Sequence, residues 1–160
     1  YEVRGSFVRT ARIKALVKNI RMRNAKPIFL VGFSRGSVDA ATFAKKYPVL
    51  VDGLVLMSAI YRNKSKKARD FSMSEIVGKT IEVPTLIVHH KKDLCNVTKF
   101  SEAKAFYRSL NSLKKELIIV SGGRSNGKKC GPKNFHGFEG KESEVANIVS
   151  SWIVTQANDR

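Results

Sequence analysis

A serine hydroxyl is a weak nucleophile at neutral pH unless a base takes its proton. An imidazole does this well when a carboxylate fixes its tautomer and steadies its charged form. The sequence offers these three residue types in the order serine, aspartate, histidine. Ser34 is the centre of Gly32-Phe33-Ser34-Arg35-Gly36, directly after the apolar run Pro27-Ile28-Phe29-Leu30-Val31. Asp93 comes after the apolar stretch Pro84 to His89, and His136 after Glu116 to Val120. A serine on a sharp strand-to-helix turn projects its hydroxyl beyond the sheet edge, at the cost of backbone strain. Glycines two before and two after it are expected because a side chain at either place would collide across the turn. The chemistry this set supports is acyl transfer through the serine.

Each residue has a plainer reading. Ser34 could be a turn serine, Asp93 a turn residue and His136 a loop histidine. The strand before Ser34 and the helical pattern behind it favour the chemical reading, and Asp52 and Asp70 sit at less suitable places. Of three histidines, only His136 lies after the last strand. His89 and His90 are adjacent, so on a strand they face opposite ways and make a poor shared metal site; they read as strand-end structure. The sequence has no Cys/His cluster with zinc spacing, and neither metal nor cofactor is implied.

The elements that must position these residues alternate between strand and helix. Residues 7 to 24 read as a helix with Ile13, Leu16, Val17 and Ile20 on one face. Strands are expected at 27–33, 51–59, 84–89 and 116–120. Helices are expected at 36–47, 100–110 and 142–156, with a short one near 74–77. The second helix should stop at Tyr47-Pro48, since proline cannot continue it. Residues 121–140 form a Gly-, Lys- and Ser-rich loop. The last helix carries Val145, Ile148, Val149, Trp152 and Ile153 on one stripe. The strands are nearly continuous apolar runs, as a parallel sheet covered on both faces requires. The expected fold is therefore α/β, a doubly wound, mostly parallel sheet of about four strands. Sites in such sheets gather at the carboxyl ends of the strands.

Length and charge bound the alternatives. At 160 residues the chain reads as one domain, 1–160, with a modest core. It has no apolar run of about 20 residues and no charged-then-apolar leader at Tyr1-Glu2-Val3-Arg4. It lacks an initiating Met and opens on the approach to a helix, which suggests a processed or truncated segment. A net charge of +17 admits nucleic acid, an anionic membrane surface or acidic ligands as partners. The basic residues cluster at 9–23, 64–69 and 128–133. Without interleaved aromatics they do not make a single-strand binding groove, which speaks against nucleic acid, and a lysine-rich solvated surface is the plain alternative.

Taken in order, these segments resemble the carboxyl-terminal two thirds of an α/β-hydrolase. The resemblance rests on Leu30 to Gly36, Val51-Asp52-Gly53-Leu54-Val55-Leu56, Val83 to Asp93, Glu116 to Val120 and His136-Gly137-Phe138, and it spans residues 27 to 156. The sequence is also similar to small bacterial dienelactone-hydrolase-like proteins. The resemblance implies that Ser34 is the nucleophile on a nucleophile elbow with Gly32 and Gly36, Asp93 the acid and His136 the base. It also implies that the backbone N–H of Arg35 is an oxyanion donor. The substrate implied is a small-molecule ester or related acyl compound. A non-catalytic binding module of the same fold and a basic protein for anionic partners are the alternatives.

Three departures matter. The fold's earlier strands are not in this sequence, and with them the loop that normally supplies a second oxyanion amide. The first strand is then expected to have an unpaired edge. Arg35 is an unusual occupant of its position. The stretch between the second and third strands is too short for a substantial lid, so the site is expected to be open.

In the similar bacterial group a cysteine comes after the acid and another precedes the histidine, as Cys95 and Cys130 do here. If the three site residues converge, the loops carrying these cysteines must approach, and a disulfide becomes geometrically feasible. It would favour a periplasmic or secreted setting; two free thiols in a cytosolic protein are the alternative. Asn-x-Ser/Thr sequons at Asn63 and Asn96 are taken as chance matches.

Overall fold

The apolar runs become one all-parallel sheet in the computed structural model, which describes residues 5–61, 73–112 and 114–159. The elements in chain order are α1 (Phe7–Arg23), β1 (Phe29–Phe33), α2 (Gly36–Lys46), β2 (Gly53–Met57), α3 (Met73–Ile76), β3 (Thr85–His90), α4 (Phe100–Ser109), β4 (Lys115–Val120) and α5 (Glu142–Asn158). The amino-terminal residues Tyr1 to Arg4, the basic cluster at 64–69, Asp70 and the Asn63 sequon lie outside the described residues.

The sheet order is β1-β2-β3-β4, each strand parallel to the next. Alternate side chains of the central strands serve two cores, because successive residues on a strand point to opposite faces. Leu54, Leu56 and Ile87 pack with Val38, Phe43 and Ala44 of α2 and with Phe106 of α4. Val55, Leu86 and Val88 pack with Val145, Val149 and Trp152 of α5. Each fully buried aliphatic side chain contributes about 1.5–3 kcal/mol. Right-handed crossovers that step along the sheet in one direction place their helices on one face, which leaves α5 to cover the other. Strands buried on both faces need no polar alternation, and this explains the continuous apolar runs.

Two arginines join α1 to the rest. Arg9 makes a two-pronged bond to Asp39 on α2, with Nε and Nη2 at 2.9 and 2.7 Å from the carboxylate oxygens. Arg21 reaches Asp52 just ahead of β2, and Asp52 also accepts the backbone N–H of Ile28. Asp52 is thus engaged at the amino end of the sheet, away from Ser34.

The structure corrects the expected face of α1. Val17 and Thr10 are buried and Ile13 packs against the core, but Leu16 is 62% exposed and Ile20 38%. The inward stripe runs through 10, 13 and 17. Thr10 can occupy it because its hydroxyl donates to the Ser6 carbonyl, 2.7 Å away. Among the described residues β1 pairs only with β2, and Val31 and Phe33 are exposed.

Candidate active site

Ser34 ends β1 with a positive φ of 49°, a left-handed conformation rare for a residue with a side chain. Several contacts hold it there. Its N–H donates to the Met57 carbonyl at the end of β2, 2.9 Å away, and its carbonyl accepts from the N–H and hydroxyl of Ser37. The Ser37 oxygen in turn accepts the Ile60 N–H. Gly32 is required: a Cβ there would lie 2.6 Å from Ser37 Cα, where α2 crosses the strand. Gly36 is different, and the expected collision does not occur. A Cβ built on it meets nothing within 4 Å, because the first residue of α2 directs that bond into open space.

The structure brings Ser34, Asp93 and His136 together from three separate loops. His136 Nε2 is 3.1 Å from Ser34 Oγ, and His136 Nδ1 is 3.0 Å from Asp93 Oδ2. These contacts fit the neutral tautomer with Nδ1–H donated to Asp93 and the Nε2 lone pair directed at the serine hydroxyl. Asp93 and His136 are buried, and Ser34 is half-buried. The ring of Phe33 flanks His136 with centroids 5.3 Å apart.

The Asp93 carboxylate is surrounded by donors. Its Oδ1 accepts the Cys95 N–H at 2.9 Å, and its Oδ2 accepts the Thr98 hydroxyl at 2.8 Å. His89 Nε2, bonded to the Thr98 carbonyl at 2.7 Å, also lies 3.4 Å from Asp93 Oδ2. Burial alone would raise the carboxyl pKa, but hydrogen bonds from His136, His89 and the Cys95 amide outweigh it and hold it at about 2. Asp93 is therefore ionised at neutral pH.

The loop carrying His136 is fixed at several points. The Ser58 hydroxyl at the end of β2 donates to the His136 carbonyl at 2.8 Å. Ser58 and Phe138 are, with Ser34, the described non-glycine residues at positive φ, and all three stand at this edge of the sheet. Strained backbone of this kind concentrates at functional sites. Cys95 and Cys130 form a disulfide with Cα atoms 4.6 Å apart, which ties the Asp93 loop to the His136 loop. His90 stacks on Phe135 with centroids 4.5 Å apart, and its Nε2–H donates to the Gly122 carbonyl while Nδ1 accepts the Lys92 N–H. Burial lowers the His90 pKa, against the opposing effect of that carbonyl.

Arg35 is exposed, and among the described residues its N–H has no acceptor, leaving it free beside the serine. Thr98, Ser58 and the reach of His89 to Asp93 were not legible in the sequence. Thr98 reads there as an ordinary residue just ahead of a helix, and Ser58 as the tail of a strand.

No protein-family profile matches the sequence, and no curated protein matches it either. The backbone, however, superposes on solved structures. It is similar to a thermophilic esterase at a TM-score of 0.64 and 13% identity, covering 92% of this chain and 73% of that one. A soluble variant of monoglyceride lipase from Saccharomyces cerevisiae gives 0.66 at 12% identity, covering 92% and 68%. Dienelactone hydrolase from Anabaena variabilis gives 0.55 at 20% identity, covering 79% and 48%. At such identities the likeness is one of backbone architecture, and on it the four parallel strands with their helices are a partial α/β-hydrolase fold.

Proposed function

We propose that the protein is a serine hydrolase that cleaves an ester or related acyl bond through an acyl-enzyme. One observation carries this reading: Ser34 Oγ, His136 Nε2, His136 Nδ1 and Asp93 Oδ2 form a continuous hydrogen-bonded line, with contacts of 3.1 and 3.0 Å. In the first step Ser34 Oγ attacks the carbonyl carbon as His136 Nε2 takes its proton. Asp93 stays ionised and holds the imidazolium through Nδ1–H. The carbonyl oxygen gains the negative charge, and the Arg35 N–H is a donor for it. The carbon–oxygen bond to the alcohol then breaks, and the alcohol leaves with the proton from His136. A water molecule repeats the sequence on the acyl-enzyme and releases the acid and free Ser34.

The esterases and lipases among proteins of the same fold support this reading, as does the left-handed Ser34 on its strand-to-helix turn. The disulfide supports placing the protein in an oxidising compartment, periplasmic or secreted. The decisive experiment is labelling with a fluorophosphonate probe. The wild-type protein should be modified at Ser34, and Ser34→Ala and His136→Ala should lose labelling and ester turnover by several orders of magnitude. A folded protein that the probe leaves unmodified would end the proposal.

A further inference from the structure

At the carboxyl edge of the sheet six exposed cations stand without an acidic partner among the described residues, whereas several cations elsewhere are paired. Arg9, Arg21, Lys114 and Lys141 face Asp39, Asp52, Asp159 and Glu144. The edge segments 34–36, 91–99 and 121–140 contain only two acids, Asp93 and Glu139. Asp93 is buried against His136, and Glu139 faces Arg124 at 3.6 Å. Arg35, Lys91, Lys92, Lys128, Lys129 and Lys133 are exposed, and among the described residues none of them forms an ion pair. Each lies in a loop that also carries one of the three site residues.

The covalent structure increases this imbalance. The disulfide brings the segment after Lys91-Lys92 against the segment after Lys128-Lys129, with its two Cα atoms 4.6 Å apart. The Lys92 ammonium stands 6.0 Å from the ring centroid of Phe135, the residue before His136. Gathering like charges is unfavourable, and an anion at that place relieves it. Phe33, the residue before Ser34, and Leu94, the residue after Asp93, expose apolar surface, 41% and 52%. A ligand that fits this edge is apolar near Ser34 and negatively charged beyond it.

Resting on the hydrolase reading, we propose that the site takes esters bearing a second, anionic group such as a carboxylate, which the basic rim of Arg35 and the paired lysines attracts while the acyl part lies on Phe33 and Leu94. A cleft lined by one charge sign raises the local concentration of opposite charge by about 10- to 1000-fold at low salt, and an open rim of exposed cations corresponds to the lower end of that range. Screening shortens the reach of that field from about 10 Å at 0.1 M salt to about 3 Å at 1 M.

The test compares two butyrate esters that match in size and differ chiefly in charge, those of 3-hydroxybenzoate and 3-hydroxybenzamide, each rate taken relative to the ester's own hydrolysis by hydroxide. The anionic ester should show a kcat/KM at least about tenfold higher at low salt, and 1 M NaCl should bring the two together. Lys91→Glu with Lys92→Glu, and Lys128→Glu with Lys129→Glu, should each abolish or reverse the preference. Lys18→Glu with Arg23→Glu on α1 changes the net charge equally and should leave it standing. Equal kcat/KM for the two esters, or an α1 pair that acts like the rim pairs, overturns the assignment. Fluorophosphonate labelling of Ser34 separates the two levels. Labelling without an anionic preference, or with neither ester hydrolysed, sinks the substrate class alone, whereas absence of labelling sinks the hydrolase reading and this inference with it.

Discussion

The hydroxyl of Thr98 donates to Asp93 Oδ2 at 2.8 Å and lies 3.1 Å from His136 Nδ1, so it sits against both partners of the buried pair. It is itself fully buried, and its carbonyl is bonded by His89. Thr98 thereby fixes which way the carboxylate faces. Thr98→Val keeps the shape and removes the donor, and a hydrogen bond to a charged group contributes about 1.5–3 kcal/mol. Thr98→Val should lower kcat on 4-nitrophenyl butyrate about 10- to 100-fold with KM little changed, and Thr98→Ser should restore most of the rate. A wild-type kcat in Thr98→Val would remove Thr98 from the positioning of Asp93.

The Asp93 carboxyl is held at about 2, below its ordinary value of 3.8. A carboxyl depressed on folding stabilises the native state above its unfolded pKa, and that contribution fades as pH falls through the folded one. The contribution is on the order of 2 kcal/mol, present at neutral pH and lost between about pH 4 and pH 2. Urea melts of wild type and Asp93→Asn across that range should show the wild-type advantage narrowing as acid is added. A constant difference would contradict the linkage.

The two glycines of the turn should behave differently. Gly32→Ala forces a methyl group against Ser37 and Ala40, and such overpacking costs about 1–3 kcal/mol. Gly36→Ala enters open space at the start of α2, so its stability should stay within about 1 kcal/mol of wild type. Thermal denaturation of both variants checks this, and equal losses would show that the turn is tight on both sides.

The Cys95–Cys130 bridge closes a sequence separation of 35 residues that holds α4, β4 and the first part of the Gly-rich loop. Removing it frees the unfolded chain and should lower stability by about 2–4 kcal/mol. The Cys95 N–H bond to Asp93 and the placement of His136 depend on the same loops, so reduction should also slow Ser34 labelling. Labelling rates and urea midpoints with and without a thiol reductant measure both effects. Unchanged values would mean that the loops hold without the bridge.

The alternation of strands and helices was legible in the residue pattern because both-face burial leaves continuous apolar runs and helices leave periodic ones. Proline after Tyr47 and the apolar stripe of α5 fixed two helices closely. The Ser, Asp and His candidates were legible because each stands just past a strand, and parallel strands deliver their trailing loops to one edge. The inward face of α1 was misread at Leu16 and Ile20, since periodicity gives a stripe but not which flank of it meets the sheet. The expected collision at Gly36 is absent because it depends on where the Cα–Cβ bond points, which only the assembled turn defines.

By itself the sequence determined a parallel α/β sheet with a serine, an aspartate and a histidine at strand ends, because burial pattern and turn chemistry are local. Only the tertiary structure decided that Thr98, His89 and the Cys95 amide converge on one carboxylate, that Ser58 reaches the carbonyl of His136, and that Cys95 meets Cys130. His89, Cys95 and Thr98 stand within five residues of Asp93, and their convergence depends on how the turn after β3 folds back on itself. Ser58 and His136 are 78 residues apart and Cys95 and Cys130 are 35 apart, and these contacts form because crossovers fold distant loops onto one edge, where buried polar groups must find partners in each other.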